Sequence, residues 1–319
     1  MKKYFSYFYV RMISILIILW TGAELIAWYF DGPQPYSALF YDDEALGFTT
    51  PRATDVVFNV YEDMYRVSFN GDGSSDYLYE TAPDVLVLGD GLIAGLELSK
   101  SQRLAVKLSR ARKKGVLNLA VTGYGSCQQY LQIDRYLRSH TPPESLVLVI
   151  NLPSDLIDSG RNLSEKMKKP VFVRENDQWM LVTPKSPSLL YKLLAKIWKS
   201  SRLISGIAFI SERGNIKTSD YEEPIIDSQM IESTKFCLGK ISELANIYRI
   251  NLVSVIWSER NSVHLDGLAK NVVNKMSNRK LIHVTTSNLC KDSECYVRNT
   301  KHFNQQSINS LVNLIKETI

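Results

Sequence analysis

The chain has 319 residues, 45% of them hydrophobic, enough for one large core or two small ones. The net charge of +5 is modest and partly N-terminal, where Lys2, Lys3 and Arg11 meet only Glu24. With no concentrated basic face, no low-complexity tract and no internal repeat, the composition excludes a nucleic-acid binder.

The first thirty residues read as a candidate membrane span. "MKKYFSYFYVRMISILIILWTGAELIAWYF" is apolar from Met12 to Phe30 except at Thr21, Gly22 and Glu24. Nineteen helical residues reach about 28 Å, close to the hydrocarbon thickness of a bilayer. Tyr4, Tyr7 and Tyr9 at one end and Trp28 and Tyr29 at the other suit the two interfaces. The lysines and Arg11 predict a cytoplasmic N-terminus, with the rest of the chain on the periplasmic, extracytoplasmic side of an inner membrane. A cleaved signal peptide is the competing reading. No A-x-A site follows the run, which is long for a signal, so an uncleaved single-pass anchor over residues 12–30 is expected. Glu24, near the outer end, is expected to snorkel to the interface.

Residues 31–80 read as a lead-in segment. A polar, turn-rich start gives way to "VVFNVYEDMYRVSFNGDG", which alternates as a partly exposed strand or hairpin does. From residue 81 to the end the pattern is α/β. "DVLVLGD", "GVLNLAV", "SLVLVIN", "NLVSVIW" and "LIHVTT" are short, rich in β-branched residues and apolar on both faces, as central parallel strands are. Helical patterns at 95–113, 126–139, 228–249, 262–278 and 304–318 alternate with them, which predicts a parallel sheet with helices on both faces. Residues 159–225 interrupt this alternation. "PVFVRENDQWMLVTP" reads as a hairpin turning at "END". "SPSLLYKLLAKIWKSSRLISGIAFI" reads as an amphipathic helix with Lys192, Lys196 and Lys199 on its polar side, either a solvated face or a contact with anionic lipid or polysaccharide.

The four cysteines fit an oxidising compartment. Cys290 and Cys295 enclose "KDSE", a loop that closes as a disulfide if the backbone turns there. The alternatives are free thiols or a metal site that would need His283 and His302 as further ligands. For Cys127 and Cys237, pairing and separate burial both stay open. No metal and no cofactor is expected.

Ligands of parallel sheets bind beyond the carboxyl ends of the strands. Gly89, Asp90, Gly91 and Gly95 follow the first strand; Asn118, Gly123 and Gly125 follow the second; Asn151, Ser154, Asp155 and Asp158 follow the third. His302 lies just ahead of the last helix in "RNTKHFNQQSINSLVNLI". In this order and spacing the chain from about residue 84 onward resembles the SGNH (GDSL-type) hydrolase family, in its membrane-anchored bacterial form. "VLVLGDGLIAG" is similar to the family's Gly-Asp-Ser-x-x-x-Gly block, "NLAVTGYGSCQQYLQI" to the second block with its glycine at Gly123, "LVLVINLPSDLID" to Gly-x-Asn-Asp, and "NTKH" to Asp-x-x-His. The resemblance implies a three-layer α/β/α, flavodoxin-like domain. It also implies ester hydrolysis or acyl transfer on a cell-envelope glycan or acylated polysaccharide.

The departures bear on that chemistry. The family's nucleophilic serine falls at Gly91, its Asp at Asn299 and its oxyanion-hole Asn at Ser154, while His302 and Gly123 are present. Glycine has no Oγ, so no acyl-enzyme forms through position 91. An Asp-to-Asn change costs serine proteases about 10⁴ in kcat, and one lost oxyanion donor costs about 10²–10³. Cys127, at a helix start, would make a Cys–His pair with His302 if its thiol were free. Asp90 with His302 could instead activate water. These residues also have plain structural readings: Asp90 and Asp155, at strand ends, as helix caps, and the glycines as turn residues. "GDGLIAG" loosely matches a dinucleotide-binding turn, but the second strand ends in "VTGYG" without the acid such sites require.

Three functions are therefore carried forward. The first is a catalytically impaired SGNH-like protein that binds, or assists modification of, envelope glycan. The second is an active carbohydrate O-acyl esterase or acyltransferase using water or another nucleophile. The third is an assembly protein whose span and basic 160–217 segment engage a membrane protein partner.

Overall fold

The computed structural model describes residues 2–29, 39–60, 63–71, 73–78, 81–152, 154–164, 167–185, 188, 190, 193, 201–204, 226–258, 280–285, 295–296 and 303–319. The expected helix at 262–278, the lysines of the amphipathic stretch, the His283 side chain, Cys290, Asn299 and His302 lie outside them.

The chain divides into two compact units. One comprises Met1–Leu39, Val56–Arg66 and Ser186–Asp220. It contains helix α1 (Lys2–Tyr29), of which Tyr7–Tyr29 is long and apolar enough to cross a membrane. Near the end of α1 the Glu24 carboxylate is a local hub. It accepts the Ser201 hydroxyl at 2.8 Å and the backbone N–H groups of Leu203, at 3.2 Å, and Arg202. The Arg202 guanidinium lies 5.1 Å from the centroid of the Trp28 ring, a cation–π contact. The side chain expected to reach for the interface thus has protein partners as well.

The second unit comprises Phe40–Asp55, Val67–Lys185 and Tyr221–Ile319. It begins with a small antiparallel pair, β1 (Tyr41–Asp43) and β2 (Gly47–Thr49). The strands β3 (Thr54–Val60) and β4 (Asp63–Phe69), which straddle the two units, form the pair that the alternating lead-in predicted.

Then comes the parallel framework: β5 (Val85–Leu88), α2 (Gly91–Ala94), α3 (Leu104–Arg112), β6 (Val116–Asn118), α4 (Ser126–Ser139), β7 (Ser145–Leu152) and α5 (Ser154–Gly160). Two hairpins follow, β8 (Leu163–Ser164) with β9 (Met167–Lys168), and β10 (Val171–Glu175) with β11 (Gln178–Val182). The second turns at Asn176 and Asp177, both at positive φ, as a two-residue hairpin loop needs. The framework resumes with α6 (Ser228–Ile247), β12 (Asn251–Ser258), β13 (Lys280–Thr285) and α7 (Gln305–Lys316).

The central sheet has the order β13-β12-β7-β5-β6, parallel at every pairing. Counted along the chain this is 2-1-3-4-5, the flavodoxin-like winding, whose direction reverses between β5 and β7. On one face Leu86, Leu88, Leu146, Leu148, Ile150, Leu252 and Ile256 pack against Ile133 and Leu137 of α4 and Leu238 and Ile241 of α6. The alternate residues Val87, Val147, Val149, Val253 and Val255 are equally buried on the other face. Such two-sided burial is what the unbroken apolar runs encode. Elsewhere α3 and α7 lie side by side, joined by Arg112 to the Lys316 carbonyl at 2.9 Å, and Gln102, just ahead of α3, bonds Gln305 at 2.9 Å.

One expected element differs. The pattern at 95–113 is not one helix. The chain turns helical already at Gly91, stops at Gly95, makes one 3₁₀ turn over Lys100–Gln102 and resumes as an α-helix only at Leu104. Gly95 sits at φ 58°, a left-handed cap that side-chain-bearing residues resist.

Asn118, the last residue of β6, is structural. Its amide donates to Asp76 at 2.8 Å and to the Ile93 carbonyl at 3.1 Å. Asp76, fully buried, also pairs with Arg103 at 3.0 Å and accepts Ser75 at 2.8 Å. The segment ahead of β5 is thereby bolted to the sheet by an ion pair whose lone pairs are well occupied.

Candidate functional site

The reversal of winding opens a crevice between the carboxyl ends of β5 and β7, where parallel sheets receive ligands. Asp90 leaves β5 and caps α2, its Oδ1 accepting the Leu92 N–H at 2.9 Å. Its Oδ2 accepts the Asn151 amide, at the end of β7, at 2.8 Å. One carboxylate therefore bridges the two strand ends. Gly91, the first residue of α2, is buried beside it and presents no side chain to the crevice.

From Asn151 the polar chain continues inward. The Asn151 backbone N–H donates to Asp155 Oδ2 at 3.2 Å, and Gln129 donates to the same oxygen at 3.4 Å. Asp155 is fully buried on α5. Burial, and secondarily the charge of Asp90, push its carboxyl well above the usual carboxylate range. Asp155 Oδ1, Ser126 Oγ, Ser159 Oγ and Gln129 Oε1 are sealed from solvent without a hydrogen-bond partner among the described residues. Gly125 lets this group close up: a Cβ there would meet the Ser159 N at 2.5 Å and the Asp155 carbonyl at 2.8 Å. Any larger residue would force α5 off the turn that starts α4.

Ser154 and Gly123 are joined by a residue that sequence reasoning missed. Lys169, with no exposed surface, donates to the Gly123 carbonyl at 2.9 Å and to Asp158 at 2.7 Å. Asp158 in turn stands 3.5 Å from the Ser154 hydroxyl. In "KMKKP" nothing marks Lys169 off from the exposed Lys168 beside it; only the fold, which brings Gly123 and Asp158 to its ammonium, does. Gln129 gave no signal either, being one polar residue in a helix of many.

The structure thus brings together Asp90, Gly91, Asn151 and Asp155 at the crevice, with Gly123 and Ser154 linked through Lys169 and Asp158. His302 and Asn299 lie outside the described residues. Phe303, next in the chain, is buried edge-on against Trp257 at 4.8 Å, and Trp257 is the register neighbour of Asn151. Cys127 is bonded to Cys237, a disulfide that ties α4 to α6. It has no thiol to ionise, which removes the Cys–His nucleophile. Cys295 is also in a disulfide, and Cys290 lies outside the described residues. No cluster of three or more His, Cys, Asp or Glu suited to a metal ion occurs among the described residues.

No family model matches the sequence, and no curated protein matches it. Among solved structures, the chain is similar to a psychrotrophic esterase from Pseudoalteromonas sp., at 11% identity and a TM-score of 0.43, covering 74% of this chain and 96% of that one. It is also similar to an acetyl xylan esterase from the rumen bacterium Butyrivibrio proteoclasticus, at 7% identity and 0.41, covering 80% of this chain and 65% of that one. A third is a family two carbohydrate esterase from Clostridium thermocellum, at 13% identity and 0.39, covering 75% and 65%. The chain spans about two thirds of the length of the latter two. The class of fold, a parallel α/β sheet of flavodoxin-like winding, is defined by the strand order itself.

Proposed function

We propose that this is a single-pass membrane protein whose α/β domain lies outside the cytoplasm and uses an SGNH-like crevice to bind envelope glycan without serine hydrolysis. The observation that carries the proposal is Gly91. It occupies the strand-to-helix turn at the winding reversal, where the family resemblance requires a nucleophilic hydroxyl, and it has none. The surroundings support binding rather than turnover. Both oxygens of Asp90 are engaged in structural bonds, and Asp155 is a fully buried acid whose pKa burial raises. The span supplies the anchor, and the positive charges ahead of it set the orientation.

The test is acetyl-ester hydrolysis by the full chain in detergent, beside Gly91→Ser and His302→Ala. An inert parent and slow turnover gained in Gly91→Ser support a dismantled hydrolase site. Turnover by the parent that His302→Ala abolishes would overturn the proposal in favour of a water-based esterase or acyltransferase.

A further inference from the structure

The Glu24 hub fixes the depth at which a distant stretch of the chain lies in a bilayer, given the reading of α1 as a span, on which this inference rests. The 23 residues Tyr7–Tyr29 cover about 34 Å along the helix axis. Centred on a hydrocarbon layer of about 30 Å, they put the Glu24 backbone about 6 Å inside the boundary nearer Tyr29. Helical side chains lean toward the helix N-terminus, which at Glu24 is toward the middle of the layer. A side chain as short as glutamate's, leaning that way, does not carry its carboxylate out to water. A carboxylate held at that depth needs donors from the protein.

Those donors come from 177 residues further along the chain and more. They are the Ser201 hydroxyl at 2.8 Å, the Leu203 N–H at 3.2 Å and the Arg202 N–H. Ser201 is 7% exposed, and its Oγ in turn accepts the Ile204 N–H at 3.1 Å. Residues 202–204 are helical, so these are the opening N–H groups of a turn, which find no partner within it. All three are satisfied by side chains. Backbone at the depth of the acyl chains has to be satisfied in this way, because no water is there to do it. Arg202 points to the same level. Its guanidinium lies 5.1 Å from the centroid of the Trp28 ring, one helical turn nearer the end of the span, where interfacial aromatics and snorkelling cations gather. Leu203 and Ile204 are half-buried, and Leu25, beside Glu24, is 66% exposed. Apolar surface at this level is therefore left without protein cover.

We propose that the chain re-enters the membrane it leaves. Residues 201–204 are seated in the leaflet where α1 ends, at the depth of Glu24, with Leu203 and Ile204 against lipid acyl chains and Arg202 at the headgroups. Glu24 holds this second, monotopic contact in place through the opening N–H groups of the turn, and the turn in exchange supplies the donors that Glu24 cannot obtain from water.

The test is the depth of a nitroxide label on the full chain in lipid nanodiscs, read as its collision rate with oxygen against that with a water-soluble nickel complex. No cysteine is free among the described residues, so an introduced one takes the label. Leu203→Cys carries it first, and Ile204→Cys repeats the measurement should the first disturb the turn. Ile18→Cys, at a position 69% exposed in mid-span, marks the interior of the layer, and Asp177→Cys, at the tip of an exposed hairpin, marks water. The labels at 203 and 204 should meet nickel several-fold less than the label at 177, at a depth short of that at 18. Glu24→Ala should raise their nickel collisions several-fold and leave the label at 18 unchanged. A deep label at 18 with labels at 203 and 204 that behave like the one at 177 would overturn the re-entry while the span stands. A label at 18 that itself meets water would remove the span, and the re-entry with it. Immersed labels at 203 and 204 that are indifferent to Glu24→Ala would overturn the role given to Glu24.

Discussion

Asp155→Asn is the substitution whose effect on stability follows most directly from the crevice. Asp155 is sealed on α5, receives the Asn151 N–H and the Gln129 amide on one oxygen, and faces the charge of Asp90. Burial first, and Asp90 second, raise its folded-state pKa far above the ordinary carboxylate value. An unfolded Asp releases its proton near pH 3.9. Above that pH the folded chain holds a proton that the unfolded chain has lost, so folding becomes less favourable as pH rises toward the folded pKa. The slope is at most about 1.4 kcal/mol per pH unit for one such group. Asparagine keeps the accepting oxygen and never ionises, so it removes this slope. In urea unfolding with disulfides intact, Asp155→Asn should match the parent near pH 4 and gain stability relative to it as the pH rises from there. A difference that is flat with pH, or a variant that loses ground as pH rises, would refute the raised pKa of the buried acid.

Asp76→Ala leaves Arg103 charged in a site where Arg103 is 3% exposed, and should cost about 3–5 kcal/mol in the same assay. Adding Arg103→Met should recover part of that loss, and a further loss would contradict the burial argument. Replacing Cys127 and Cys237 together by serine releases a cross-link of 110 residues' separation and should cost about 2–5 kcal/mol, read as a lowered urea midpoint. Glu24→Ala removes the acceptor that holds Ser201, Arg202 and Leu203. Tryptic cleavage after Arg202 should then speed up several-fold in detergent, and an unchanged rate would show that the contact contributes little.

The sequence alone determined the elements that bury apolar surface on both sides. "SLVLVIN" and "NLVSVIW" became β7 and β12 almost residue for residue, because a run apolar on both faces satisfies only a central strand. The hairpin at Asn176 and Asp177 and the helices over 126–139 and 305–316 were legible for the same local reasons of turn chemistry and period. That position 91 is a glycine with no hydroxyl was legible too, since it is a fact of composition at one position. Tertiary structure decided whatever depended on which distant residues meet. The pairing of Cys127 with Cys237 follows from α4 packing on α6. The helix break at Gly95 follows from a left-handed backbone conformation that a glycine permits without demanding. Lys169 is a buried cation rather than a solvated one because the Gly123 carbonyl and Asp158 converge on it, and that depends on the loop's path. Asp155 is an acid whose pKa is raised for the same kind of reason. Its identity is written in the chain, whereas its charge is set by the dielectric and the neighbours that folding assembles around it.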